Sequence, residues 1–403
     1  MADSTAHPHR LHRLSGTSVL KRKPRFIVGL AGVLVLAALA PLKGVPYVSL
    51  APLKGVPYVG LASLKGVPYV GLASLKRVPY AAAPAGQARS AASIPRFDEA
   101  LALAADLPRL HSLIVSRRGE ILLERYYNGA RATRLANIKS AAKSVISALV
   151  GVAIDRRLIP GADTPIARYF PTLMKDRDPG KRTITVEDLL TMRSGLETTS
   201  NRNYGAWVQS RNWVQHALAR PLLSAPGSEM DYSTGNTHLL SAILTQATAR
   251  STWQFANEQL AAPLGFTLAQ WPRDPQGIYF GGNDMLMTPR QMLAFGQLYL
   301  DRGRVKGRQV VPESWIDRSF VTRARSFWSG QEYGYGWWMR ELAGHRAYFA
   351  WGFGGQYIFV IPSLDLVVVT TSSSTAAEDR RSHRRSVLDL VEYLVVEPIA
   401  ATN

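Results

Sequence analysis

A serine and a lysine three residues apart, Ser140 and Lys143 in the segment IKSAAKSVISALVG from Ile138 to Gly151, could supply a nucleophile and its base. A serine hydroxyl is a poor nucleophile until a neighbour takes its proton, and a lysine can do so once desolvation lowers its pKa from about 10.4. The spacing alone is weak: it recurs at Ser18 and Lys21, and a helix-capping serine beside a partly exposed lysine would look the same. Two further segments carry chemistry. PGSEMDYSTGN, from Pro226 to Asn236, offers Tyr232, and GFGGQ, from Gly352 to Gln356, puts glycines at the mouth of a strand. There backbone N–H groups can be approached closely, as an oxyanion site requires. Taken singly, Tyr232 reads as a core aromatic and the glycines as a bulge.

The elements that must position these residues are legible. Ile138 to Gly151 is apolar almost all round, which predicts a central buried helix starting near Ser140. Positions three apart share a helix face, so Ser140 and Lys143 enter one cavity, the serine at the electropositive N-terminus. HSLIVSRRGEILLE, from His111 to Glu124, is two apolar stretches around Arg118-Gly119 and predicts a hairpin. Leu239 to Ala249 predicts an apolar helix after Tyr232. Tyr357 to Pro362 and Leu366 to Val369 predict two strands joined at Ser363 to Asp365.

At 403 residues, 46% hydrophobic and 19% charged, the chain has the composition of a folded protein with room for a sizeable core. It has no cysteine, which excludes disulfides, thiolate metal sites and cysteine nucleophiles. The net charge of +19 is uneven. The residues before 93 hold twelve Lys and Arg against Asp3 alone, leaving +8 for the rest, with no zinc-finger spacing or aromatic-basic interleave, so no nucleic-acid partner is expected. Six cations between Arg10 and Arg25 precede the apolar run Phe26 to Ala40, a tripartite secretory pattern. Pro41 after Ala38-Leu39-Ala40 leaves two readings open for residues 1–40, a cleaved signal peptide or an N-terminal membrane anchor, with the body exported in either case. From Leu42 the unit LKGVPYVSLAP repeats with period 11. Its central prolines exclude a helix, so residues 41–94 are expected to be an extended spacer and linker.

In order, the three segments resemble the motifs of the β-lactamase and penicillin-binding-protein superfamily, Ser-x-x-Lys, Tyr-x-Asn and Lys-Thr-Gly. The resemblance covers about residues 95–403 and is nearest in flavour to 6-aminohexanoate-dimer hydrolases and related class C-like esterases, through SAAKSVISALVG, TVEDLLTMRSGL, PGSEMDYSTGNTHLL, MTPRQMLAFGQLYL and WGFGGQYIFVIPSLDLVVV. It implies an α/β fold with an antiparallel sheet and flanking helices, drawn from residues 95–160 and 285–400, and a mainly helical subdomain at about 160–285. It also implies that Ser140 forms an acyl-enzyme, that Lys143 and Tyr232 share the acid and base work, and that the N–H groups of Ser140 and Phe353 form the oxyanion hole.

Two departures bear on substrate. Thr234 stands where Asn would complete Tyr-x-Asn, and Ala350-Trp351-Gly352 replaces Lys-Thr-Gly. The missing lysine removes a cation for a β-lactam carboxylate, and Trp351 is expected to make that wall apolar, favouring small esters or linear amides. Thr234, Trp351 and Gly352 are expected to contact substrate, with Tyr204 and Trp207 from a loop closing over it. No HExxH or other paired metal spacing and no phosphate loop occur, so neither metal nor cofactor is expected. The rival readings are a D,D-peptidase or weak β-lactamase on peptidoglycan-related substrates, and a non-catalytic penicillin-binding-like sensor.

Overall fold

The computed structural model describes residues 97–402. The leader expected at 1–40, with its membrane contact, and the spacer expected at 41–94 lie outside the described residues. Five helices frame the fold: α1 (Asp98–Asp106), α2 (Ala142–Asp155), α3 (Thr234–Thr248), α4 (Pro289–Leu300) and α5 (Arg380–Val391). The main sheet has eight strands: β1 (Leu110–Arg117), β2 (Glu120–Tyr126), β3 (Ala324–Arg325), β4 (Glu332–Tyr333), β5 (Trp338–Leu342), β6 (His345–Gly352), β7 (Gln356–Ile361) and β8 (Leu366–Ser372). Their order is β2-β1-β8-β7-β6-β5-β4-β3, with every neighbour antiparallel. The first hairpin therefore pairs with the last strand, Leu113 opposite Thr370 and Val115 opposite Val368.

The hairpin falls where expected because Arg118 (φ 53°) and Gly119 (φ 80°) are both left-handed, as a two-residue turn matched to strand twist requires. Side chains alternate along the central strands. Ile358, Val360, Val367 and Val369 face the layer holding α2, α3 and α4, while Phe359, Ile361, Leu366 and Val368 face α1 and α5. Burial on both faces explains why β7 and β8 read as near-continuous apolar runs. Gly296 lets α4 close onto the sheet, since a Cβ there would lie 2.7 Å from Ile358 Cγ2 and Val367 Cγ1.

All eight strands come from residues 110–126 and 324–372, inside the two expected segments. Between them lie α3, short helices such as Val186–Leu190 and Tyr204–Val208, and several 3-10 turns. Helix α3 starts five residues before the expected Leu239. Its first N–H groups are capped from a distant loop rather than locally: Thr234 N donates to Ser200 Oγ (2.9 Å) and Gly235 N to Thr199 Oγ1 (2.8 Å). Among the described residues no helix is long and apolar enough to cross a membrane.

Candidate active site

Ser140 sits in a 3-10 turn, Lys139–Ala141, that runs into α2, so the expected helix start is shifted by two residues. The first residue of that turn is left-handed, with φ 51° at Lys139, a conformation costing a non-glycine residue about 1–3 kcal/mol. Three contacts hold it. Lys139 N donates to Asn137 Oδ1 (3.0 Å), Lys139 Nζ donates to Asp284 Oδ1 (2.9 Å), and Asn137 Nδ2 donates to the same oxygen (2.6 Å). The antiparallel pairing of Ala136 and Asn137 with Met287 and Leu286 brings these partners together. Gly352 at the end of β6 packs against the Ile138 carbonyl so tightly that any Cβ would collide with it. The third motif thereby abuts the turn that carries the nucleophile.

Lys143, one helical step on, is buried, and its Nζ lies 3.2 Å from Ser140 Oγ. It donates to the Gly282 carbonyl (2.6 Å) and contacts Thr234 Oγ1 (3.4 Å). Gly282 is needed there, because a Cβ would stand 2.9 Å from Nζ. No carboxylate among the described residues pairs with Lys143, and burial lowers its pKa from 10.5 to about 7. The ring of Tyr232 is centred 5.1 Å from Nζ and is held between Trp338, stacked at 5.4 Å, and Tyr333, edge-on at 6.1 Å. Its carbonyl accepts from Thr198 Oγ1 (2.8 Å), which fixes the segment ahead of α3.

Ser140 and Tyr232 open onto a cleft of about 680 Å³, walled by Trp338, Trp351, Tyr357 and Phe353 and edged by the exposed Trp328. Trp351 stacks on Tyr357 at 6.2 Å. Helix α5 presents Arg384 and Leu388 to the cleft, Arg384 lying over Trp351 (5.3 Å), and one turn earlier Arg380 lies over Phe353 (5.5 Å). Arg340 also lines the cleft and pairs with Glu392 at 3.0 Å.

Several expectations need correction. Tyr204 and Trp207, expected over the substrate, are buried and do not line the cleft. Trp207 is fully buried, donating from Nε1 to the Trp213 carbonyl (2.9 Å), and Tyr204 accepts from Asn283 Nδ2 (2.8 Å) in the same aromatic core. Large rings on a short helix found more apolar area to bury inward than at the rim. Thr234 is fully buried beside Lys143 and Gly352 is buried as packing for the turn, and neither lines the cleft. The Trp351 wall is not purely apolar, since Arg384 caps its face. Sequence reasoning also missed Asn137, Lys139, Gly282, Asp284 and Arg384. The double glycine at Gly281-Gly282 was the one available signal for the loop against Lys143.

An antiparallel sheet flanked by helices, with a Ser-x-x-Lys pair packed against its central strands, defines a class of serine-dependent acyl-transfer folds. Residues 109–392 match the Beta-lactamase family profile, and the chain belongs to that family. The curated 6-aminohexanoate-dimer hydrolase of Paenarthrobacter ureafaciens is 25% identical over 303 residues, 68% of this chain and 74% of that one. Among solved structures, EstCE1, a hydrolase with promiscuous acyltransferase activity, superposes with a TM-score of 0.59 at 19% identity, covering 74% of this chain and 97% of that one. A penicillin-binding protein homologue from Caulobacter crescentus gives 0.60 at 16%, covering 78% and 99%. These two likenesses show the shared fold.

Proposed function

We propose that the chain is a cofactor-free serine hydrolase that cleaves small esters or linear amides through an acyl-enzyme on Ser140. The observation that carries this reading is the 3.2 Å approach of Ser140 Oγ, which lines the cleft, to a desolvated lysine, Lys143, buried behind it. With its pKa near 7, a large part of Lys143 is neutral at physiological pH and can take the Ser140 proton as the hydroxyl attacks the carbonyl. The backbone N–H groups of Ser140 and Phe353 would receive the developing oxyanion. Tyr232, facing the cleft beside Lys143, would give its hydroxyl proton to the leaving group and be reprotonated by the Lys143 ammonium, and water would then release the acyl group by the reverse path. The kinship with a 6-aminohexanoate-dimer hydrolase supports a linear amide among the substrates.

A second reading, a D,D-peptidase or weak β-lactamase, is favoured by one observation. Arg384 and Arg340 bring cationic groups to a cleft whose third motif lacks lysine, and an arginine there could hold a carboxylate. Intact-mass analysis after a fluorophosphonate and, separately, after a penicillin decides between them. An adduct at Ser140 with the first alone supports the esterase or amidase. Stable adducts with both support the wall-related reading, and no adduct with either refutes both.

The basic-apolar pattern of residues 10–40 supports export of this body, either behind a cleaved signal peptide or held by a single N-terminal membrane contact. A chain starting at Ala81 should hydrolyse esters as well as the full chain does, and its failure to do so would refute the spacer reading.

A further inference from the structure

A second cavity, of about 220 Å³, lies apart from the cleft and is lined by His111, Arg131, Arg134, Asn137 and the hydroxyl-bearing run Thr371 to Thr375. Its charged lining is entirely cationic, and no carboxylate faces it among the described residues. Arg131 and Arg134 are exposed, and their side chains take no hydrogen-bond or ion-pair partner among the described residues. The neighbouring Arg109 is occupied, by Asp379 (3.2 Å) and by the Ser373 carbonyl (3.2 Å), and His383 Nε2 is within 3.0 Å of Ser372 Oγ. Burial, and then the charges of Arg134, His383 and Arg109, hold the pKa of His111 below its usual value.

The walls of this cavity continue into both halves of the catalytic machinery. Asn137 holds the left-handed residue ahead of the nucleophile through Lys139 N and shares Asp284 with Lys139 Nζ. On the other side, Gly354 packs on Ser373 and Ser374, so closely that a Cβ would stand 3.1 Å from Ser374 Cα. Gly354 follows Phe353, the second proposed oxyanion donor.

We propose that this cavity binds a small oxyanion of charge −2 or more between Arg131, Arg134 and the hydroxyls of Ser373 to Thr375, and that the bound anion braces the turn before Ser140 against the loop after Phe353. Two guanidinium groups with free donors and several hydroxyls suit phosphate or a polycarboxylate, whereas a monovalent ion leaves most of them unpaired. The binding half of this proposal is independent of the hydrolase reading, and the bracing half rests on it.

The test is thermal unfolding of the full chain at pH 7 in sodium phosphate, in citrate and in sodium chloride at matched ionic strength. Phosphate or citrate should raise Tm saturably, by roughly 2–4 °C at about ten times its Kd, and chloride should not. The comparison of the two anions distinguishes phosphate from polycarboxylate as the ligand chemistry. Arg131→Gln with Arg134→Gln should match the parent Tm in chloride, because both side chains are exposed, and should lose the anion-dependent rise. An equal response to all three salts, no response to any, or an undiminished rise in the double variant would overturn the site. In the parent alone, saturating phosphate should raise kcat on a p-nitrophenyl ester with the same midpoint as the Tm rise. Binding without any change in kcat would overturn the brace.

Discussion

Replacing Lys143 by methionine should abolish turnover and at the same time make the folded protein more stable in mild acid. Burial lowers the Lys143 pKa from 10.5 to about 7. Below pH 7 the lysine is charged in the folded and the unfolded chain alike, and the folded state bears the whole desolvation penalty, roughly 5 kcal/mol for a shift of this size. Between pH 7 and 10.5 the folded protein holds it neutral while the unfolded chain still binds the proton, so stability rises with pH and the penalty fades. At pH 9 it has fallen to about 2 kcal/mol. Methionine has no such term and fills a similar volume, but it leaves the Gly282 carbonyl without its 2.6 Å donor, at about 1–3 kcal/mol. The net effect is a gain of roughly 2–4 kcal/mol at pH 6, shrinking by about 3 kcal/mol at pH 9. Urea unfolding of both proteins at the two pH values measures it. The kcat/KM of the parent on p-nitrophenyl butyrate should rise in parallel through an apparent pKa near 7. A stability difference that does not change between pH 6 and pH 9 would refute the picture of a desolvated lysine serving as base.

Ser140→Ala should lose about 10³-fold or more in ester turnover, whereas Ser144→Ala should stay active and lose about 1–3 kcal/mol with its 2.6 Å bond to the Gly336 carbonyl; both are read by steady-state kinetics and urea titration. Trp207→Ala should destabilise by about 3–5 kcal/mol and leave KM unchanged, while Trp351→Ala should change KM at little cost in stability, because one ring is in the core and the other on the cleft. Asp284→Asn should cost about 3–5 kcal/mol by stranding the Lys139 charge, and Lys139→Met in the same chain should restore part of the loss, as measured by a double-mutant cycle.

What the sequence disclosed depended on how local the signal was. Ser140 and Lys143 share a helical turn, and the Arg118-Gly119 turn and the β7 and β8 runs are patterns a few residues long, so each could be read without knowledge of the rest. Whatever depended on distant partners could not. The early start of α3 follows from Ser200 and Thr199, 34 and 36 residues away from the groups they cap. The buried ion pair spans 145 residues. Tyr204 and Trp207 were misplaced because an aromatic-bearing loop looks alike in sequence whether its rings face a cleft or a core. Arg384 was missed because, in an arginine-rich helix, the position facing the cleft is set by α5 docking on the sheet, and the sequence RRSHRR offers no favoured register of its own.

Two buried lysines four residues apart end up with different work, and their surroundings account for the division. Desolvation disfavours the charged form of each, but only Lys139 has a counter-ion, Asp284, at 2.9 Å. Burial lowers Lys139 to about 8 and raises Asp284 to about 7, and their 2.9 Å contact ties Lys139 to a loop 145 residues away and holds the left-handed turn that presents Ser140. Lys143 faces only a carbonyl and hydroxyls, which accept its protons without compensating a full charge, so the neutral amine becomes accessible near pH 7. Giving both lysines carboxylates would leave a rigid turn with no base. Giving neither a carboxylate would leave the strained turn unsupported. The loop Gly282 to Asp284 supplies both environments within three residues, a bare carbonyl for the base and a carboxylate for the clamp, and in this way positions the nucleophile and its base together.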